Sequence, residues 1–329
     1  MEQYYYNHMN KAQQAAYHSI LSGVKNLADE FQIPALEGEE LYNVFFQMRL
    51  DHPEIFWVSS YKYRYYKDSP NLIFIPEYLF DKKKICEHQK AMTARVEKLI
   101  RPAQKLSEWE KEKYVHDFIC ENIRYDKLKK SYSHEIIGPL GQGVGVCEGI
   151  AKAVKVLLDA LGVWCVIAIC GNNPEKGIKY RHTWNIVKIG GTYYHLDATF
   201  DNTLGKDRET SEIRYDYFNL DDSQIFRDHE PLIAPAPHCG DHEHFYYKEK
   251  KLSFTRQEFC NTHQFIDLRL TLEKDGSGCL SLRDNGGKFN PLEYRNRDTQ
   301  YGLAIIRGIS EKIDYHYVAS MNCLNVMIR

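Results

Sequence analysis

Apolar residues recur along this chain with two periods, and the switches between them mark its elements. Ala12–Phe31 and Gly38–Leu50 carry apolar positions at helical spacing, with Pro34 and the Glu37-Gly38 step between them. Asp51–Pro53 reads as a turn. Ile55–Tyr66 then alternates as a strand, and Asn71–Ile75 reads as its hairpin partner across a Lys67–Pro70 turn. Asp81–Arg101 returns to a charged helical pattern. Leu106–Ile123 reads as a further helix, with Ser107 as its N-cap and Glu110 as the capping-box partner. A polar loop fills Lys127–Leu140. Beyond Pro231, Pro235 and Pro237 the pattern turns strand-rich. Phe265–Leu272 and Gly278–Leu282 flank a Lys274–Ser277 turn, Pro291–Ile309 holds a possible helix, and Ile313–Ile328 alternates to the end.

The densest patterning lies between Gly141 and Asp201. Ile150, Val154, Leu157, Leu158 and Leu161 form an apolar stripe with a 3.6-residue repeat, and Gly162 stands where such a helix stops. Cys147 follows Gly141, Gly143 and Gly145 and sits at or just before the start of that helix. The unpaired N–H groups and partial positive charge there favour thiolate over thiol, and the same N–H groups can receive a developing oxyanion. The competing reading is a small buried hydrophobe. Val163–Cys170 is a run of β-formers. Thr183–Ile189 and Thr192–Leu196 flank Gly190-Gly191, a strong hairpin signal because type I′ turns need positive φ. In that register Ile189 pairs with Thr192, Trp184 faces Asp197, and His182 faces Thr199. His182 and Asp197 become diagonal neighbours on one sheet face, with Cα atoms about 7–8 Å apart. A carboxylate on one imidazole nitrogen fixes the tautomer and leaves the other nitrogen to act on a thiol. His195, opposite Ile186, is the alternative base.

Composition narrows the class. With 329 residues the chain is long enough for two or three domains, and a net charge of −2 gives no reason to expect nucleic acid. The basic runs Lys82–Lys84 and Lys248–Lys251 read as solvated surface. The 24 tyrosines suit aromatic-rich sheets or a binding cleft. Nine scattered cysteines do not make a disulfide scaffold. No apolar run is long enough to span a bilayer, and the N-terminus lacks a signal-peptide pattern, so a cytoplasmic location and no membrane partner are expected. His238, His242 and His244, with Cys239, Asp241 and Glu243, are the one cluster resembling metal ligands, but it lacks a second, separated ligand pair. No metal or cofactor is expected.

The pattern G-x-G-V-C-x-G ending at Gly149, then H-T-W-N from His182 and G-x-x-Y-H-L-D-A-T to Thr199, resembles the core of the transglutaminase-like superfamily, in members of bacterial type. The resemblance runs from about Tyr114 to His229 and takes in Asn122–Asp126 and Tyr217–Asp221. It implies an α+β, papain-like core: a central helix carrying the cysteine, and an antiparallel sheet carrying the histidine and aspartate. Small N- and C-terminal α+β regions flank that core, giving parts at 1–105, 106–232 and 233–329. By the same resemblance Cys147 is the nucleophile, His182 its base and Asp197 the orienter, with Tyr125 a cleft residue. Gln142 could supply an oxyanion N–H, as an upstream glutamine does in papain-like enzymes, although the spacing differs from theirs.

The activity implied is acyl transfer through a thioester. Hydrolysis of a peptide or amide bond in a protein or peptide substrate is the leading expectation, because nothing downstream resembles the β-sandwich domains of animal cross-linking transglutaminases. The alternatives are amine transfer to a protein glutamine, with Trp184, Tyr193 and Tyr194 lining an acceptor tunnel, and a non-catalytic scaffold that keeps the fold.

Overall fold

Short polar side chains decide where several helices begin. Asn10, Asp81, Ser107 and Asp221 each accept a hydrogen bond from a backbone N–H in the first turn that follows. Ser107 and Glu110 form the expected capping box. The computed structural model describes residues 3–67, 69–203, 213–241, 243–246, 266–272, 277–284, 310–318 and 321–328.

The helices are α1 (Tyr4–Asn7), α2 (Lys11–Lys25), α3 (Gly38–Asp51), α4 (Lys82–Ile100), α5 (Glu108–Asn122), α6 (Cys147–Ala160), α7 (Ala198–Thr203) and α8 (Asp222–Ile225). The strands of the first part are β1 (Phe31–Pro34), β2 (Val58–Arg64), β3 (Asn71–Tyr78), β4 (Arg124–Tyr125), β5 (Val144–Gly145), β6 (Cys165–Cys170), β7 (His182–Ile189), β8 (Thr192–Leu196) and β9 (Phe218–Leu220). The fold class is α+β. By its contacts the chain divides into two compact units, Met1–Lys206 with Ser211–Glu249, and Asp207–Thr210 with Lys250–Arg329.

In the first unit, β1, β3 and β2 make an antiparallel sheet in that order, and β6-β7-β8-β9 make a second. Strands β4 and β5 pair in parallel, which holds Tyr125 beside Gly145 and next to the start of α6. Helix α6 buries Ile150, Val154, Leu157 and Leu158. Each such side chain contributes about 1.5–3 kcal/mol, so the helix that carries Cys147 is firmly anchored. Asn185 of β7 donates to the Ala151 carbonyl at 3.0 Å, tying helix to sheet.

Two expectations need correction. Phe31 does not end the first long helix: Leu27 takes a positive φ of 52° after Lys25, and Phe31 opens β1. The β7–β8 hairpin has the expected register, Ile189 with Thr192 and Ile186 with His195, and Gly190 and Gly191 take φ of 59° and 90°. The ladder ends at Asn185 with Leu196, however, so Trp184 does not pair with Asp197 nor His182 with Thr199. The chain leaves the sheet at Asp197 and turns into α7.

In the second unit, β10 (Ile266–Leu272), β11 (Gly278–Asp284), β12 (Ser310–Val318) and β13 (Met321–Ile328) form an antiparallel sheet in the order β10-β11-β13-β12. Phe265, Lys274–Gly276, the Pro291–Ile309 helix and the Lys248–Lys251 run lie outside the described residues.

Candidate active site

Cys147 is the first residue of α6. Its N-cap, Val146, is extended and offers no capping side chain to the first N–H groups. The loop before the helix lies directly on this first turn: Val146 N–H donates to the Ser133 carbonyl at 3.0 Å. A Cβ on Gly149 would sit 2.2 Å from that same oxygen, so only glycine allows this approach.

His182 opens β7, where it pairs with Cys170 of β6. Its Nε2 lies 2.6 Å from Asp197 Oδ2, and its ring also hydrogen-bonds the Cys147 thiol, which leaves Nδ1 toward sulfur. Asp197 is fully buried and accepts four hydrogen bonds. His182 Nε2 and His229 Nε2 (2.9 Å) reach Oδ2, and the N–H groups of Thr199 (2.9 Å) and Phe200 (3.0 Å) reach Oδ1. Because the chain turns into α7 here, one carboxylate both caps that helix and binds two imidazoles.

Burial alone would neutralise these groups, but their mutual contacts reverse it. Burial works to raise Asp197, yet His182 and His229 hold it well below the usual carboxylate range. Burial works to lower His182, yet Asp197 and then Cys147 lift it to about 10. For Cys147 burial is again the largest influence and pushes upward, but hydrogen bonds from His182 and Thr183 bring it below the usual thiol value. Both shifts favour the thiolate–imidazolium pair over the neutral one.

Glu148, the next residue, belongs to a buried ion network. Lys152 Nζ donates to Glu148 at 2.8 Å and to both Glu135 oxygens at 2.9 Å, while Arg49 pairs with Glu135 and lies 3.6 Å from Glu148. His134 meets the other Glu148 oxygen at 3.1 Å. Burial acts to raise Glu148, but Lys152, His134 and Arg49 keep it ionised far below its ordinary range. Two carboxylates thus face two permanent cations.

Cys147 opens onto a cavity of about 610 Å³ whose aromatic walls include Tyr42, Phe46, Tyr125 and Tyr180. The Tyr125 hydroxyl accepts a hydrogen bond from the Cys147 N–H. Burial, with the neighbouring thiolate, raises Tyr125 to about 12, so the phenol stays protonated. A second cavity of about 640 Å³ adjoins the first through Tyr42, Phe46 and Glu148 and runs along Ser59–Tyr63 of β2.

The structure brings Cys147, His182, Asp197 and Tyr125 together. Gln142 is exposed and does not line the cavity, because the π-helix Ile137–Gln142 carries it to the surface. Trp184 is 1% exposed and stacks on His182 with centroids 5.8 Å apart, behind the site. Tyr194 is equally buried and Tyr193 packs on Trp164, so the expected aromatic tunnel is not built from these residues. His195 has both ring nitrogens engaged away from Cys147. Trp184 Nε1 donates to its Nδ1 at 2.9 Å, so the neutral ring carries its proton on Nε2 and gives it to Asp222 at 2.8 Å. Burial lowers His195 further.

Among the described residues, two groups of side chains have ligand atoms within 4.8 Å of one another: His182, Asp197 and His229, and His195, Asp222 and Cys239. In the first, both imidazoles already give their Nε2 protons to Asp197. In the second, the Nε2 proton of His195 occupies the position a metal would need, and burial raises the Cys239 thiol. His238 reaches Asp222 at 2.5 Å, while His244 packs on Tyr194, so these two do not converge; His242 lies outside the described residues.

Sequence reasoning missed His229 as an Asp197 partner. It lies 32 positions away with no local pattern to mark it. It also missed the cavity wall from Tyr42 and Phe46, which α3 contributes from the N-terminal part.

Residues 93–198 match the family model of the transglutaminase-like superfamily, a span that takes in Cys147, His182 and Asp197. Among solved structures, one similar chain is a TGase, at 14% identity and a TM-score of 0.30, with 49% of each chain covered. Another is a provisionally assigned cysteine protease from Cytophaga hutchinsonii, at 14% identity and a TM-score of 0.24, covering 43% of this chain and 61% of that one. The chain thus spans about half the length of the TGase it matches. No curated protein matches it.

Proposed function

We propose that this chain is a cysteine hydrolase that cleaves a peptide or amide bond through a thioester on Cys147. One observation carries the reading: the hydrogen-bonded series Cys147–His182–Asp197 stands at a helix N-terminus and opens onto a cavity. The Cys147 thiolate attacks the substrate carbonyl, forming a C–S bond and placing charge on oxygen. The Tyr125 O–H, whose oxygen already takes the Cys147 N–H, is free to donate to that charge. His182 passes its Nδ1 proton to the leaving nitrogen, the C–N bond breaks, and the amine departs. Water then attacks the thioester while His182 takes its proton, and the C–S bond breaks to return thiolate and free acid. Asp197 keeps the imidazole oriented and stabilises its charged form throughout.

A polypeptide donor is favoured over a small amide because a second cavity along β2 shares Tyr42, Phe46 and Glu148 with the one at Cys147. Water is favoured as acceptor because an amine at low concentration must enter by a shielded apolar path, and Trp184 and Tyr194 are packed within the sheet. The test incubates a glutamine-containing peptide library with a dansyl-tagged primary amine. Deamidation or cleavage without amine incorporation is expected. Strong incorporation with little hydrolysis makes the enzyme an amine transferase. Neither product, with Cys147 inert to iodoacetamide, leaves the non-catalytic scaffold.

A further inference from the structure

The charges around the Cys147 cavity are one-sided. Lys129, Lys179 and Arg181 line it, and among the described residues its acidic lining group is Glu148. Glu148 is not available to neutralise them, since Lys152 holds it at 2.8 Å with Arg49 and His134 alongside. Among the described residues, neither Lys179 nor Arg181 has an ion-pair partner, and both are exposed at the mouth. Lys129 is held in place: it takes a positive φ of 50°, and its ammonium stands 3.3 Å from the centroid of the Tyr180 ring. That contact joins the segment after β4 to the one before β7 across the cavity. Arg181 immediately precedes His182, the first residue of β7, so the chain that brings in the imidazole also brings Arg181 to the cavity lining.

We propose that the Cys147 cavity is an anion-selective subsite, in which Arg181, with Lys179 and Lys129, binds a substrate carboxylate close to the attacked carbonyl. The proposal rests on the cysteine-enzyme reading and names its donor class: acidic peptides, with an aspartate, a glutamate or a chain-terminal carboxylate next to the reacting bond. Arginine suits this task because its planar fork can bind a carboxylate through two parallel hydrogen bonds. A cavity of about 610 Å³ lies within the range of ordinary ligand pockets, so a short peptide segment and its carboxylate fit together. Cations in a partly enclosed site focus the field and raise the local concentration of anions. They also favour the thiolate that the reaction needs.

The test compares alkylation of Cys147 by iodoacetate, an anion, with alkylation by the neutral iodoacetamide, each referenced to the same ratio on an uncharged cysteine peptide. The expected result is an iodoacetate preference about tenfold above the peptide at low salt, the low end of what focused charge produces, falling as salt screens it. Arg181→Glu and Lys179→Glu should each lower the ratio several-fold, and together bring it below that of the peptide. Both side chains are exposed, so the variants should fold. A wild-type ratio equal to that of the peptide, or one that the charge reversals leave unmoved, overturns the anion subsite while the nucleophile reading stands on its iodoacetamide rate. If neither reagent reaches Cys147, it is the nucleophile assignment that falls. Titration calorimetry of Cys147→Ser with a glutamate-containing peptide and its glutamine counterpart then decides the subsite. Tighter binding of the acidic peptide, lost in Arg181→Glu, supports it, and equal binding ends it.

Discussion

Replacing Asp197 by asparagine tests the whole electrostatic arrangement with one atom. Its Oδ1 receives the Thr199 and Phe200 N–H groups, and its Oδ2 receives Nε2 of both His182 and His229. In Asp197→Asn the amide oxygen can keep the two backbone bonds, so the cap of α7 survives, but the NH₂ then faces two donors. His182 must give up its Nε2 proton to accept from the amide, which leaves a proton on Nδ1, the nitrogen aimed at the thiol. A base protonated where it should accept cannot take the cysteine proton. Asp197 is the first group that lifts His182 against burial, from the ordinary 6.5 to about 10. Losing even a third of that rise changes the imidazolium–thiolate population at least about tenfold. The pH midpoint of Cys147 alkylation should therefore move up by at least about one unit, and turnover should fall on the order of 10³–10⁴-fold. Iodoacetamide labelling read by mass spectrometry between pH 5 and 10 measures the first, with circular dichroism to establish that the variant is folded. His229→Gln serves as the partner variant, since it removes the second imidazole without touching Cys147, and it should move the midpoint far less. A folded Asp197→Asn protein with an unshifted midpoint would falsify the assignment of Asp197 as the group that charges His182.

Other consequences follow from the same geometry. Turnover should rise as Cys147 ionises, below the ordinary thiol range, and decline near pH 10, where His182 loses the proton owed to the leaving amine; a pH–kcat profile checks both limbs, and the alkylation rate should not share the upper decline. Lys152→Met should destabilise the protein by about 3–5 kcal/mol, because it leaves Glu135 and Glu148 sharing Arg49 in a buried site; denaturant midpoints measure this. Gly149→Ala should cost about 1–3 kcal/mol, since its Cβ meets the Ser133 carbonyl and the loop must shift away from the first turn of α6; calorimetric melting and a slower Cys147 alkylation rate report the two halves of that effect. Tyr125→Phe should lower kcat about a hundredfold to a thousandfold with little change in the alkylation midpoint, as expected for an oxyanion donor.

Local patterning was enough to find much of this molecule. The apolar stripe from Ile150 to Leu158 dictates α6 and so puts Cys147 at its first turn, because periodicity and end signals act over a few residues. Ser107 with Glu110, and Gly190 with Gly191, likewise mark a helix start and a hairpin register that the structure repeats. The pairing of His182 with Asp197 was also reached from sequence, although the route was partly mistaken. The hairpin arithmetic kept Asp197 in the ladder, whereas the chain turns out at that residue, and it is this departure that lets its carboxylate cap α7 and face two imidazoles.

What sequence could not supply depends on residues far apart in the chain. His229 reaches Asp197 only because the segment after β9 folds back over the sheet, and no spacing rule links positions 197 and 229. Gln142 looks apt by its distance from Cys147, but the π-helix it ends carries it to the surface. Trp184 looks like a cleft wall, yet it shares a face of β7 with His182, stacks on that ring and is 1% exposed. The neutralisation of Glu148 by Lys152 and Arg49, and with it the charge of Arg181 and Lys179 left unopposed among the described residues, emerges only when α3 and α6 lie together. Helix starts, turns and strand periods are short-range consequences of backbone geometry and can be read from neighbouring letters. Which carboxylate meets which cation is set by long-range packing, where burial strengthens every charge, and only the folded chain decides it.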